Sequence, residues 1–184
     1  SISIGQGEIN LTPLQIANLG AIIANRGYYY APHVVRKIQG VQLKQKYLKR
    51  HKVMGTPQAF NEVVAGMVSS AHGGTCAHAV HPGYTLAGKT GTAQNRGKDH
   101  SVFMGFAPVE SPKIAIAVYV ENGGFGAVYG VPIGSLMMEQ YINGKLTPHD
   151  EAQAVSIQNR HISYSFKRKM TLSDSLRLDS IKRV

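Results

Sequence analysis

Cysteine occurs once, at Cys76, so no disulfide can close within the chain, and a lone thiol leaves the compartment open. No apolar run approaches the roughly 18 residues a membrane-spanning helix requires, and the N-terminus shows no signal-peptide pattern. No Gly-x-Ser-x-Gly elbow is present, which removes a hydrolase triad built on that plan. Acids are scarce: ten Asp and Glu stand against twenty Lys and Arg, for a formal net charge of +10. What remains is a chain of 184 residues with an ordinary apolar fraction, enough for one domain with a real core. It opens Ser1-Ile2-Ser3-Ile4, which reads as strand from the middle of a fold, so the sequence is expected to be a piece of a longer protein.

The positive charge is concentrated in two places. Residues 36–52 carry seven Lys and Arg and no acid, and residues 160–184 carry seven against Asp174 and Asp179. The rest of the chain is close to neutral. Basic runs can hold nucleic acid or anionic surfaces. Aromatic interleaving here is slight, so no nucleic-acid partner is expected, and a solvated loop explains such runs equally well.

Thr12-Pro13 and Thr56-Pro57 are helix starts, a hydroxyl N-cap followed by proline at the first helical position. They predict helices over 13–25 and 57–70, the first apolar almost all round and therefore buried. Gly27 is the expected left-handed terminator of the first. A third helix is expected over 131–142, stopped by Asn143-Gly144. Strands are expected over 28–38 with a break at Pro32, then over 85–93, 101–107 and 113–120, the last two joined as a hairpin by Pro108–Pro112. Residues 121–126 read as a flexible loop. Residues 39–55 form a basic insertion, and 150–184 a basic tail with Ile162, Tyr164 and Phe166 in weak alternation. The fold class is α+β, an antiparallel sheet flanked by helices, with 1–149 as the body.

The chemistry-bearing stretch is Ala87-Gly88-Lys89-Thr90-Gly91-Thr92-Ala93. In an extended segment Lys89 and Gly91 share one face, and Thr90 and Thr92 the other. Gly91 lacks a Cβ, so a ligand backbone can come close. An edge strand here also offers free N–H and C=O groups to an extended peptide. Cation, hydroxyls and open backbone together suit a peptide ending in a free carboxylate. A lysine on an edge strand also guards against aggregation. The triplet alone therefore does not decide function.

Two lures surround it. Gly83–Thr90 matches G-x-x-x-x-G-K-[ST]. A phosphate loop needs a buried strand before it and a helix after it, and neither Ala77–Pro82 nor Gly91–His100 supplies one. No nucleotide cofactor is expected. His72, Cys76, His78 and His81 have zinc-ligand chemistry without a zinc-ligand spacing, so no metal is expected.

Several motifs in register resemble the transpeptidase domain of class B penicillin-binding proteins. They are Gly5-Gln6-Gly7-Glu8, Leu11-Thr12-Pro13-Leu14-Gln15-x-Ala17, Ala24-Asn25-Arg26-Gly27, Pro32-His33, Ala87–Gln94, His100–Pro108 and Val120–Gly124. The first and third are closer to elongation-type than to division-type members. The likeness covers about residues 1–143 and omits 39–55 and the tail.

The resemblance implies part of a penicillin-binding protein/β-lactamase-like fold and a serine acyl-transferase that cross-links cell-wall peptidoglycan. A serine attacks a D-Ala–D-Ala stem peptide and passes the acyl group to an amine, and β-lactams stall as the acyl-enzyme. Lys89 and Thr92 are the implied catalytic residues, with Thr90, Gly91 and Thr92 binding substrate. Lys89 attracts the carboxylate and supports proton transfer. The Thr90 and Thr92 hydroxyls hydrogen-bond that carboxylate, and the Thr92 N–H serves an oxyanion hole. Attraction between unit charges about 4 Å apart is on the order of 4 kcal/mol near a protein surface, which favours lysine over a neutral donor. Implied partners are stem peptides, β-lactams and the cell-wall elongation machinery, with the membrane reached only through an N-terminal anchor. The implied location is the bacterial envelope, outside the cytoplasmic membrane.

One departure is decisive. No Ser or Thr of the sequence has lysine three residues on, and no S-x-N occurs. Nucleophile and base are both missing. The chain alone is expected to be inactive; a non-catalytic peptide-binding or scaffold module is the alternative reading.

Overall fold

In the computed structural model, which describes residues 2–163, the elements run α1 (Pro13–Ala24), β1 (Tyr28–Tyr29), α2 (Gln45–Leu48), β2 (His51–Lys52), α3 (Pro57–Gly73), β3 (Ala87–Ala93), β4 (His100–Ala107), β5 (Ile114–Val120), α4 (Gly130–Asn143) and α5 (Pro148–Gln158). The two Thr-Pro starts behave as expected. The Thr12 hydroxyl accepts the Gln15 N–H at 3.3 Å while the Gln15 side chain accepts the Thr12 N–H at 2.8 Å, a reciprocal capping box. The Thr56 hydroxyl accepts the Ala59 N–H at 3.1 Å, without a reciprocal bond. The signal recurs at Thr147-Pro148 and opens α5, a helix the sequence reading did not place. Its weak amphipathicity hid it, and it crosses the expected boundary at 149/150.

β3, β4 and β5 form an antiparallel sheet in that order, with Lys89 opposite Met104, Thr90 opposite Phe103 and Gly91 opposite Val102. One face carries Ala87, Phe106 and Met104 against Ile23 and Ala24 of α1 and Val64 and Met67 of α3. The other carries Phe103, Ile116 and Val118 against Val131 and Met138 of α4. Both faces are covered because the strands alternate between two apolar sets.

The left-handed residue that ends α1 is Arg26, φ +58°, and not the expected Gly27: Arg26 N–H donates to Ile23 O at 3.0 Å and Gly27 N–H to Ile22 O at 2.9 Å, the paired closure of a helix end one residue earlier than glycine placement suggests. Gly27 is still required, since its φ is +107° and a Cβ there would lie 2.7 Å from the Phe60 ring. Gly144 ends α4 in the left-handed region, φ +75°.

Other expectations need correction. Ile2–Ile4 is a single 3₁₀ turn, not a strand. β-branched alternation expresses a fit to a sheet surface, and no strand among the described residues lies beside it. The strand expected over 28–38 stops after Tyr29, because Pro32 has no donor for a ladder. Within 39–55 the chain forms α2 and then β2, which pairs back on β1 and closes the excursion at its base. Helix α1 is less buried than its composition suggests: Leu14 and Leu19 are 61% and 44% exposed. Residues 121–126, read as flexible, are tied down, with Gly124 N–H donating to Asp99 O at 2.8 Å. Tyr164 and Phe166 lie outside the described residues.

α5 is fastened by an acid pair. Glu139 of α4, 2% exposed, accepts the Thr147 N–H at 2.9 Å and lies 3.7 Å from His81. Burial, then its hydrogen bond with Asp150, raises the Glu139 pKa. At Asp150 burial acts in the same upward sense, but hydrogen bonds from Thr147 and Glu139 outweigh it and the pKa is lowered. Raised Glu139 makes the native state the better proton binder, so its contribution is present below the unfolded pKa and lost as pH rises through the folded one. Glu139→Gln keeps an acceptor for Thr147 and drops the charge. Its thermal midpoint should exceed that of the parent at pH 7 and match or fall below it at pH 4, read by circular dichroism.

Candidate functional site

Among the described residues β3 is paired on one side only, so the strand bearing Lys89 is the edge of its sheet. Alternation places Lys89, Gly91 and Ala93 on the α1 face and Thr90 and Thr92 on the α4 face, as expected from the sequence. Lys89 is exposed. Its ammonium donates to the Thr90 carbonyl at 2.7 Å, and no carboxylate among the described residues pairs with it. Two of its three N–H groups stay available to a ligand.

Beside the strand lies a cavity of about 640 Å³. Gly91, Thr92 and Ala93 form one wall, His100 and Tyr119 stand on the neighbouring strands, and the segment from Ile4 to Thr12 closes the opposite side. Thus Gly91 and Thr92 face the hollow, while Lys89 and Thr90 stand at its approach and do not line it. The Thr90 hydroxyl is hydrogen-bonded at 2.8 Å to that of Thr75, just past the end of α3. The Thr92 carbonyl accepts the Gln6 amide at 3.4 Å.

Residues to which the sequence reading gave no role hold this strand in place. Ser101 is fully buried; its hydroxyl donates to Phe125 O at 2.9 Å and accepts the Gly130 N–H at 3.0 Å. That fixes the 121–130 segment against β4. Gly126 packs so tightly on this ledge that a Cβ would fall 2.7 Å from the Gly91 carbonyl. His100 accepts the Asn122 N–H on Nδ1 at 3.0 Å, which assigns the proton of the neutral ring to Nε2. Asn122 sits at φ +56° and accepts the Asn95 amide at 3.3 Å. A polar residue within an apolar strand was the available signal for Ser101. His100 and Asn122 fall within the family motifs His100–Pro108 and Val120–Gly124, but their pairing across 22 residues leaves no local pattern.

The remaining candidates disperse. Cys76 is buried in the core, His81 stacks on Tyr84 with centroids 4.2 Å apart, and His72 bonds the Val68 carbonyl. Among the described residues no three His, Cys, Asp or Glu converge as a metal group. Gly88–Thr90 lies within a strand with no helix following, so the phosphate-loop pattern has no phosphate-loop geometry. The buried Tyr84 hydroxyl has no partner among the described residues; burial, then the charges of Glu139 and Asp150, push its pKa up to about 12.

An antiparallel sheet between helical layers, ending on an open lysine-bearing edge beside a hollow, defines an α+β domain with an exposed strand. The chain belongs to the penicillin binding protein transpeptidase domain family, which matches residues 1–139. Over 145 residues it is 37% identical to peptidoglycan D,D-transpeptidase MrdA of Acinetobacter baumannii, covering 68% of this chain and 22% of that protein. Its fold is similar to Pseudomonas aeruginosa PBP2 in complex with WCK 5153, with TM-score 0.69 and 35% identity over 80% of this chain and 34% of the other. It is also similar to penicillin-binding protein A of M. tuberculosis as the imipenem acyl-enzyme, with TM-score 0.65 and 33% identity over 76% of this chain and 33% of that one. The chain spans between 22% and 32% of the length of the first curated relatives it matches.

Proposed function

We propose that this chain is the substrate-gripping part of a peptidoglycan D,D-transpeptidase, acting on D-Ala–D-Ala stem peptides in the bacterial cell envelope. The observation that carries the reading is the open edge of β3, with exposed Lys89 at the approach to the 640 Å³ hollow that Gly91 and Thr92 line. A stem peptide lies antiparallel along that edge and hydrogen-bonds its backbone. The Lys89 ammonium, leaving the Thr90 carbonyl, pairs with the terminal carboxylate, and the Thr90 and Thr92 hydroxyls bond the same group. The Thr92 N–H faces the scissile carbonyl and stabilises its oxyanion as charge develops.

The attacking serine and its lysine come from a segment other than these 184 residues, and the exposed stripe of Leu14 and Leu19 on α1 is the apolar surface such a segment covers. β-Lactams enter as mimics of the dipeptide. Wall-elongation proteins are the partners in the cell.

The test is binding of a D-Ala–D-Ala peptide to the chain, followed by amide chemical shifts. A charge-assisted hydrogen bond contributes about 1.5–3 kcal/mol, so Lys89→Ala should weaken binding about tenfold to hundredfold. The C-terminally amidated peptide, lacking the charge, should bind parent and variant alike. Equal affinity of the free acid for both proteins would remove Lys89 from its role.

A further inference from the structure

Between β1 and β2 the chain makes an excursion to which the proposed function gives no role. No Asp or Glu occurs between Glu8 and Glu62, while seven Lys and Arg fall between Arg36 and Lys52, every one of them exposed. Solvent-facing aliphatic side chains alternate with these cations. Val34 and Met54 are 100% exposed, Val41 59%, Leu48 53% and Ile38 50%. These groups give the lobe an apolar component beside its charge.

The aromatic rings of the lobe are already engaged. Arg50 lies over Tyr28 at 4.1 Å and Lys46 over Tyr47 at 4.8 Å, His33 packs on Tyr47, and His51 stacks on Tyr29. Rings held this way are not free platforms for nucleobases. Exposed cations interleaved along the chain with exposed aliphatic side chains instead match an anionic lipid interface, where headgroup phosphates meet ammonium and guanidinium groups and the aliphatic groups enter the acyl boundary.

We propose that the lobe of residues 34–54 is a peripheral contact for an anionic lipid surface. The proposal rests on charge complementarity and on the exposed apolar set, and is independent of the role assigned to β3. The whole 184-residue chain is sedimented with phosphatidylcholine vesicles, with and without about one-third phosphatidylglycerol. Binding is expected to the anionic vesicles alone and to be lost in about 1 M salt, where the Debye length is about 3 Å. Each cation near such a surface contributes roughly fivefold to partitioning, so the triple variant Lys44→Glu, Lys46→Glu, Lys49→Glu should fall by about a hundredfold or more.

The paired variant Val34→Ser, Met54→Ser should also weaken vesicle binding, whereas binding to a DNA duplex, a polyanion without an apolar layer, should not change. A matched reversal on the body, Arg96→Glu, Lys98→Glu, Lys113→Glu, controls for net charge, and circular dichroism confirms that each variant is folded. Four outcomes would overturn the proposal. They are no sedimentation with anionic vesicles, equal binding to neutral ones, an equal loss from the body reversal, or indifference of vesicle binding to the serine pair.

Discussion

Incubated with a fluorescent penicillin and then denatured, the 184-residue chain should carry no covalent label. Acylation requires a nucleophile within hydrogen-bond reach of a base, and no Ser or Thr here has lysine three residues on. In a serine hydrolase, loss of the nucleophile alone removes about six orders of magnitude in rate. On the proposed function, what these residues supply is the substrate-binding edge: β3, its lysine and the adjoining hollow. A second polypeptide supplying Ser-x-x-Lys and Ser-x-Asn, mixed with this chain, should recover a labelled band at its own mass. Lys89→Ala in this chain should abolish that band. A label on the 184-residue chain itself would show a nucleophile outside the S-x-x-K plan and overturn the mechanism.

Replacing Phe103 by alanine should cost about 3–5 kcal/mol, read as a shift in the urea unfolding midpoint. The ring is fully buried at the centre of the sheet, opposite Thr90. Four glycines enclose it: a Cβ on Gly88 or Gly105 would approach within 2.7 Å of the ring, a Cβ on Gly130 within 2.9 Å of Phe103 Cβ, and one on Gly134 would overlap the ring edge. Backbone atoms form this socket and cannot collapse into the void as side chains do. The loss should therefore sit near the top of the range. Set against a domain stability of about 5–15 kcal/mol, that leaves a marginal fold. Gly134→Ala tests the same socket from outside and should cost about 1–3 kcal/mol through overpacking. A midpoint unchanged in both variants would mean that the ring is not the keystone of α4 against β4.

Elements with local causes were legible. Thr-Pro at 12–13 and 56–57 fixes helix starts because the cap and the proline act within one turn. The alternating runs of β4 and β5 could be read because their two apolar sets face different helices. The third Thr-Pro, at 147–148, carries the same cap, but the stretch after it is too polar to show an apolar helical face. Where expectation failed, a partner was at issue. Ile2–Ile4 had strand composition and no strand beside it, and α1 had a buried helix's composition while Leu14 and Leu19 face solvent.

The site divides along the same line. The sequence alone determined the residue types of the β3 stretch, the face each side chain takes, and that no S-x-x-K or S-x-N motif occurs, since residue order and a two-residue period suffice for all three. Only the tertiary structure decided that β3 is an edge, that the hollow opens at Gly91 and Thr92 and not at Lys89, and that Ser101, His100 and Asn122 brace it. Those features depend on contacts between residues tens of positions apart, and such contacts leave no local pattern to read.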